Sequence, residues 1–305
     1  MSKFSDVEPD PSVVDRVSQP PFVQLPDPAR VFSRRAKRLR MLAPGHDLQA
    51  YLTFLADLTE MQAAILDGLP EPEMPAPEAI ARAHDHAMPP LDRNGFQPGP
   101  AFDATFERLV AGAEKIAMPD EARAALARLK ALARPARDVM VHDVLADSAV
   151  VETLAEHVFV AAALELHFAR MAQKLDSGKL KKVGDGVCPC CGAPPVASVI
   201  VGWPGAVGAR YCSCSLCSTL WNYVRVLCTI CGSSEKISYR EIEGGSGTIK
   251  AEVCESCNGY GKVLYQQKEP GLDPVADDVA SLGLDILMRE LGFRRGGVNP
   301  FLLGY

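Results

Sequence analysis

The chain has 305 residues, of which 48% are hydrophobic and 23% charged, and its formal net charge is −6. These proportions are typical of a globular protein with about two domains. The negative balance argues against a general polyanion binder, because such binding needs many Lys and Arg contacts to phosphate. The N-terminus shows no secretion signal, and no apolar stretch reaches the roughly 18 residues of a membrane span. We therefore expect a cytoplasmic protein without stable membrane insertion.

The N-terminal part of the chain predicts an arm followed by helices. Residues 1–27 are rich in Pro and Asp and predict an extended arm, whereas 28–178 predict an all-helical domain. Asp27 can cap its first helix, with Pro28 at the first helical position. Apolar spacing places helices at 28–43, from 47 to 69, and near 78–87, 103–117, 120–133 and 148–175. The last of these is apolar on nearly every side and should be the central, buried helix.

The first predicted helix carries a run of basic residues. Such a run can be a partner surface or a solvated face beside the apolar side of the helix, and we favour the solvated face. The run comprises Arg30, Arg34, Arg35, Lys37, Arg38 and Arg40.

Beyond a polar, Gly-containing link at 176–186, the sequence changes to short β-rich runs between cysteine turns. It predicts two small metal modules, at 187–226 and 227–268. Strands are expected at 196–201, 221–226, 237–242 and 262–266.

After the second module the chain returns to helical character. Residues 270–305 predict a C-terminal helix and tail, with Asp277 and Asp278 as the cap. The predicted fold class is therefore α+β. It has an N-terminal all-helical domain, two tandem rubredoxin-like or zinc-ribbon four-cysteine modules, and a C-terminal helix.

All ten cysteines lie between residues 188 and 257. In a reducing compartment, clustered cysteines are more often metal ligands than disulfides. Eight of them form four Cys-x-x-Cys pairs, and each position in the last two pairs lies 40 residues after its counterpart in the first two. This internal repeat is hard to obtain from unrelated thiols. The pairs are Cys188/Cys191, Cys214/Cys217, Cys228/Cys231 and Cys254/Cys257.

Two Cys-x-x-Cys turns joined by a β-hairpin can close a tetrahedral four-sulfur site. Because thiolates fill every position, such a site is structural or at most an electron carrier, and it cannot activate water. The repeat favours pairing the first turn with the second and the third with the fourth, although pairing of the first with the third stays open. Zn(II) and mononuclear iron both suit this ligand set. Removing the metal should unfold the C-terminal module.

Two further cysteines, Cys190 and Cys212, fall outside the repeat. We interpret them as small buried thiols, with ligand swapping or thiol redox chemistry as the alternative. Thioredoxin-like chemistry is not expected, since no βαβ unit surrounds the first pair. The sequence shows no catalytic signature and predicts no enzyme. His84, His86 and His142 are interpreted as solvated, and His157 and His167 as core or rim histidines with a hydrogen-bond partner.

Several motifs resemble the formate dehydrogenase accessory protein (FdhE) family. The resemblance covers nearly the whole chain, and its specific part lies in the cysteine-rich and C-terminal segments. The matching segments are residues 188–198, 210–217, 221–232, 274–285 and 299–303, with weaker likeness at 35–39 and 51–56.

The resemblance implies a cytoplasmic, non-catalytic maturation factor needed for formate dehydrogenase activity. Its partner would be the catalytic subunit of a respiratory enzyme exported by the twin-arginine route, bound before export; self-association is left open. The resemblance also implies rubredoxin-like sites in which the eight paired cysteines hold two mononuclear metal ions. Iron is then preferred, with zinc as the other possibility.

Two other functions were weighed. A zinc-ribbon adaptor or nucleic-acid-binding module is disfavoured because Lys and Arg nearly balance Asp and Glu over residues 181–270. A rubredoxin-type electron carrier would have no need of the large helical domain. No nucleic-acid partner is therefore expected.

Overall fold

A computed structural model describes residues 20–148 and 151–302. Three parts of the prediction lie outside these ranges: most of the predicted arm (1–19), two residues of the predicted long helix (149–150) and the last residues of the predicted tail (303–305). The helices are α1 (Pro28–Leu42), α2 (Gln49–Ala64), α3 (Pro77–Asp85), α4 (Pro100–Ala113), α5 (Asp120–Ala131), α6 (Arg134–Leu145), α7 (Leu154–Gln173), α8 (Pro274–Ala280) and α9 (Leu282–Glu290). The strands are β1 (Val23–Gln24), β2 (Pro195–Ile200), β3 (Arg210–Cys214), β4 (Leu220–Tyr223), β5 (Ile237–Arg240), β6 (Ile249–Cys254), β7 (Gly259–Tyr265) and β8 (Arg294–Arg295).

Helix α7 is the centre of the helical domain, as the sequence predicts. Every side chain from residue 159 to 172 is buried. Helices α1, α2, α4, α5 and α6 all contact it. A helix surrounded in this way must be apolar on all sides, which explains its sequence.

Helix α1 begins as predicted, but its basic run is divided between solvent and interior. Asp27 accepts a hydrogen bond from the Arg30 backbone N–H at 3.3 Å and caps the helix. The interpretation as a solvated face is wrong for Arg35 and Arg38, which are only 2% and 9% exposed. They turn inward because acidic partners from distant parts of the chain, Glu165 among them, lie there.

Two features of the helices differ from the prediction. Helix α6 was not predicted, and Pro135 stands in its first turn, where its missing N–H costs nothing. In the C-terminal segment the cap is Asp273, which precedes α8. Asp277 and Asp278 are instead buried and pair with Arg38 and Lys262.

One mixed sheet contains all eight strands, in the order β1-β4-β3-β2-β7-β6-β5 with β8 beside β7. Strands β2–β4 come from the first cysteine repeat and β5–β7 from the second. Each set is antiparallel, and β2 pairs in parallel with β7 to join them, with Ser198 opposite Val263. The module boundaries at 187–226 and 227–268 stay a prediction, since both segments build this sheet.

The order of helices, sheet and C-terminal helices confirms the predicted fold class. The four expected strand regions correspond to β2, β4, β5 and β7, whereas β1, β3, β6 and β8 were not predicted. Across the described part of the chain, no helix has both the length and the apolar character needed to cross a bilayer.

Candidate metal centres

The first cluster consists of Cys188, Cys191, Cys214 and Cys217, whose sulfur atoms all lie within 4.8 Å of one another. The Sγ–Sγ distance is 3.6 Å from Cys188 to Cys217 and 3.4 Å from Cys191 to Cys214. A tetrahedral ion with metal–sulfur bonds of about 2.3 Å would hold its sulfurs about 3.8 Å apart. Disulfide sulfurs would be only about 2 Å apart. The spacing fits a four-thiolate ion site.

The second cluster consists of Cys228, Cys231, Cys254 and Cys257, again with all sulfur atoms within 4.8 Å. Its Sγ–Sγ distances are 3.8 Å from Cys228 to Cys257 and 3.8 Å from Cys231 to Cys254. The structure thus brings the first pair together with the second and the third with the fourth. Two clusters of this kind could hold two metal ions.

The local backbone explains how each turn directs its sulfurs. The residue after every pair has a positive φ, which reverses the chain behind the second cysteine; glycine and asparagine adopt this conformation most readily. In the second pair, the N–H of Cys217 then points at the Cys214 sulfur at 3.3 Å. In the third, the N–H of Ile230 lies 3.4 Å from the Cys228 sulfur. The four residues are Gly192 (77°), Ser218 (58°), Gly232 (68°) and Asn258 (51°).

The first cluster is enclosed between the sheet and the helical domain. All four of its cysteines are at most 1% exposed. The segment between α3 and α4 binds the first turn through its backbone, since Leu91 N–H donates to the Cys190 carbonyl at 2.8 Å and Arg93 N–H to Cys191 at 3.1 Å. From α1, Arg35 donates to the Ser218 hydroxyl at 3.3 Å. The first cluster is therefore part of the junction between the two halves of the protein.

The second cluster lies at the surface. Cys231 is exposed and Cys257 partly exposed, whereas Cys228 and Cys254 are 4% and 2% exposed. Close to it, Tyr223 donates to the Cys228 carbonyl at 3.2 Å. Two residues of the second cluster are therefore at least partly exposed to solvent.

Burial opposes the ionisation of several thiols at once in the first cluster. Desolvation raises the pKa of the Cys188 and Cys191 thiols well above their ordinary value. The pKa of Cys217 is lowered despite its desolvation, because the neighbouring thiols form hydrogen bonds with its sulfur. A bound divalent cation reverses this preference, because ligation stabilises the thiolate directly. Four converging buried sulfurs without disulfides are thus best suited to a cation.

The two remaining cysteines are buried and free, as expected for small buried thiols. Cys190 does not belong to the set of mutually close sulfurs, and its sulfur lies 3.4 Å from the Thr219 hydroxyl. Cys212 lies on β3 with its sulfur 3.6 Å from the Ser198 hydroxyl. Burial raises the pKa of Cys212 to about 11.

Histidines take no part in either cluster, and no histidine of the described ranges belongs to a group of closely spaced metal-ligand atoms. His157 is buried with its Nδ1 atom 2.6 Å from the Thr153 carbonyl, as expected. His167 is also buried, and its Nδ1 atom has no hydrogen-bond partner in the described ranges. It packs against Phe96 and Phe102, and burial lowers its pKa to about 4.

Comparison with family models finds three consecutive matches that cover the described chain almost completely. They are to "FdhE, N-terminal" at residues 20–185, "FdhE, central domain" at 187–225 and "FdhE, C-terminal domain" at 226–302.

Individual relatives match over nearly their full length. A "Protein FdhE homolog" of Rhizobium meliloti is 46% identical over 303 residues, 99% of each chain. One from Edwardsiella ictaluri is 39% identical, over 91% of this chain and 90% of the relative. The crystal structure of the FdhE protein from Pseudomonas aeruginosa has a TM-score of 0.83 at 32% identity, covering 93% of this chain and 99% of that one. The chain belongs to the FdhE family.

Proposed function

We propose that this chain is a cytoplasmic accessory factor required for formate dehydrogenase activity, acting by binding the catalytic subunit before export. The observation that carries the proposal is the family likeness over the whole chain, which includes the helical domain as well as both cysteine clusters. A protein whose task was only to hold two ions would not need that domain. The helical domain is therefore the proposed docking body.

The eight paired cysteines are the proposed ligands of two mononuclear ions, with iron preferred over zinc. The donor set supports this, since four sulfurs without oxygen or nitrogen ligands suit both metals, and the sulfur spacing fits tetrahedral coordination. Both centres would be filled by thiolate and could not activate water or substrate. The chain is accordingly proposed to act on its partner without catalysing a reaction.

The partner is tested by purifying affinity-tagged protein, without air, from cells that make a respiratory formate dehydrogenase. We expect the catalytic subunit to co-purify with its export leader still attached. An unrelated protein with the same tag is the control for capture by the tag or the resin. If the full-length protein repeatedly retains no catalytic subunit, the docking proposal is wrong.

The requirement itself is tested by deleting the gene and measuring formate-dependent dye reduction in membranes. Activity should be lost and should return when the unaltered chain is supplied. Normal activity in the deletion strain would contradict the proposed role. Elemental analysis of the same anaerobic protein should find two ions per chain, with the red colour of ferric four-sulfur sites if iron is bound.

Electron transfer is a second candidate function for the second cluster, because Cys231 reaches the surface. An iron ion there would be close enough to a docked partner to exchange an electron. Stopped-flow mixing of the reduced protein with the oxidised catalytic subunit should show oxidation of one of the two iron centres. If neither centre is oxidised faster than in buffer, this candidate fails.

A further inference from the structure

The 40-residue repeat allows the surroundings of the two clusters to be compared position by position. Residues 190 and 219 of the first repeat correspond to 230 and 259 of the second. Both positions lie beside ligand cysteines. In the first repeat they are polar, Cys190 and Thr219, whereas in the second they are Ile230 and Gly259.

At the first cluster the two polar side chains form a line that ends on a ligand sulfur. The Thr219 Oγ1 atom lies 3.1 Å from the Cys217 sulfur and 3.4 Å from the Cys190 sulfur. All three residues are 0% exposed. No hydrogen-bond partner can therefore reach the Thr219 hydroxyl from bulk solvent.

At the second cluster the same place is filled by hydrocarbon. A Cβ atom added at Gly259 would lie 3.1 Å from the Cys257 sulfur and would clash with the Ile230 side chain. The isoleucine thus occupies the position that the threonine and cysteine share in the first repeat. The second cluster has no equivalent of the polar pair, but water reaches its exposed Cys231.

We propose that Thr219 and Cys190 form a hydrogen-bond relay that supports the Cys217 thiolate when the first cluster holds its metal. A divalent ion with four thiolates has a net charge of −2, and burying that charge is costly unless donors surround it. Cys231 is exposed, so donors from solvent can approach the second cluster, whereas the first is closed to bulk solvent and depends on donors of the protein itself. The relay is one such donor. This inference depends on the proposed metal sites.

Proton positions in the relay follow from ordinary valence. A metal-bound Cys217 sulfur has no hydrogen, so the Thr219 hydroxyl must donate to it. The hydroxyl oxygen is then free to accept, and the Cys190 S–H donates to it. Cys190 is thus a positioning residue, and its sulfur lies outside the group of mutually close ligand atoms.

The test compares the unaltered zinc-loaded protein with Thr219→Val and Cys190→Ala. Excess chromogenic chelator is added and zinc release is followed with time. The unaltered chain should release two zinc ions in two phases, a fast one from the exposed second cluster and a slow one from the first. Each variant should still hold two ions, and its slow phase should accelerate about 10- to 100-fold, the usual effect of losing a partner of a metal ligand.

Conservative variants separate hydrogen bonding from packing. Thr219→Ser and Cys190→Ser keep a donor at each position and should retain most of the slow phase. Cys212→Ala is the matched control, because it removes another buried free thiol from the same sheet and should change neither phase. In iron-loaded protein, Thr219→Val should also make the midpoint potential of one centre more negative and leave the other unchanged.

The outcomes distinguish the relay from the metal sites themselves. If the unaltered chain binds no metal, the proposed ligand assignment fails together with the relay. If Cys190→Ala holds one ion instead of two, Cys190 is a ligand and the relay is wrong. If both disruptive variants hold two ions with an unchanged slow phase, the relay alone is overturned.

Discussion

The two cysteine clusters share a sequence repeat and a turn geometry but differ in their surroundings. The first is enclosed by the helical domain, whose backbone binds its first turn directly. The second is at the surface, with Cys231 exposed. Repeated ligand spacing therefore specifies the coordination geometry of each site, whereas the residues that contact it determine what loss of its metal would do to the rest of the protein.

The largest difference between the two clusters should appear when the ligands of one cluster at a time are removed and the folding of the helical domain is measured. Cys188→Ser with Cys191→Ser should disrupt the junction with the helical domain, because metal binding contributes on the order of 10 kcal/mol to folding. Cys228→Ser with Cys231→Ser should leave the helices and the first cluster folded. Far-ultraviolet circular dichroism and limited proteolysis measure both effects.

The proposed difference between the two clusters would be contradicted if both double variants lost helix content to the same extent. The two turns would then be equally coupled to the helical domain despite their different burial. Equal resistance of residues 28–173 to protease in both variants would likewise contradict the role of the first cluster at the junction.

A smaller loss of stability is expected when Arg35, which connects the helical domain to the first cluster, is replaced. Its guanidinium lies 3.0 Å from Glu165, 3.3 Å from Asp273 and 3.3 Å from the Ser218 hydroxyl. Arg35→Ala would leave a buried carboxylate without its partner, at a cost of about 3–5 kcal/mol in unfolding free energy. Denaturant unfolding measures this loss.

Arg40→Ala is the matched control from the same helix. Arg40 pairs with Asp57 and Glu60 at the surface, so its loss should cost less than about 1 kcal/mol. If both substitutions lowered the unfolding free energy equally, the buried ion pair would contribute no more to stability than the surface pair. Replacing Arg35 and Glu165 together by Met should recover much of the loss, since the fully buried carboxylate is removed with its partner. Asp273 keeps the backbone N–H donors of Val275 and Ala276.

The smallest effect is the loss of folding stability at acidic pH that His167 of the helical domain should cause. Burial lowers the pKa of His167 to about 4, whereas an unfolded histidine titrates near pH 6.5. Between these values only the unfolded chain gains the proton, so stability falls as the pH decreases from about 6.5 towards 4. At pH 5.5 the loss should be about 1 kcal/mol.

His167→Phe should remove that part of the pH dependence. Thermal unfolding of metal-loaded protein at pH 7 and pH 5.5 compares the variant with the unaltered chain. An identical difference between the two pH values in both proteins would mean that His167 already gains its proton in the folded state.

Sequence reasoning was most accurate where one residue type has one chemical use. The cysteine spacing predicted both clusters and their grouping, because the period of 40 residues connects equivalent turns. The long apolar segment predicted α7, since only a helix enclosed on all sides can have such a sequence. Local capping chemistry predicted the start of α1 at Asp27.

Features that depend on distant contacts were not predictable from local patterns. Nothing in the sequence near Arg35 indicates that Glu165 lies beside it in the folded protein. The burial of Arg35 was therefore not predicted. The parallel pairing of β2 with β7 joins segments more than 60 residues apart, and no local pattern specifies it. The different burial of the clusters arises in the same way, because the segment around Leu91, between α3 and α4, binds only the first.

The parallel contact between β2 and β7 has a consequence for any shortened form of the protein. A chain that ended after residue 225 would keep the first four cysteines and the helical domain, yet Ser198 to Ile200 of β2 would lose their neighbours on β7. Unpaired backbone groups along an apolar strand are a template for association with other chains. Truncation there should therefore yield aggregates rather than a smaller monomer, even with the first ion in place.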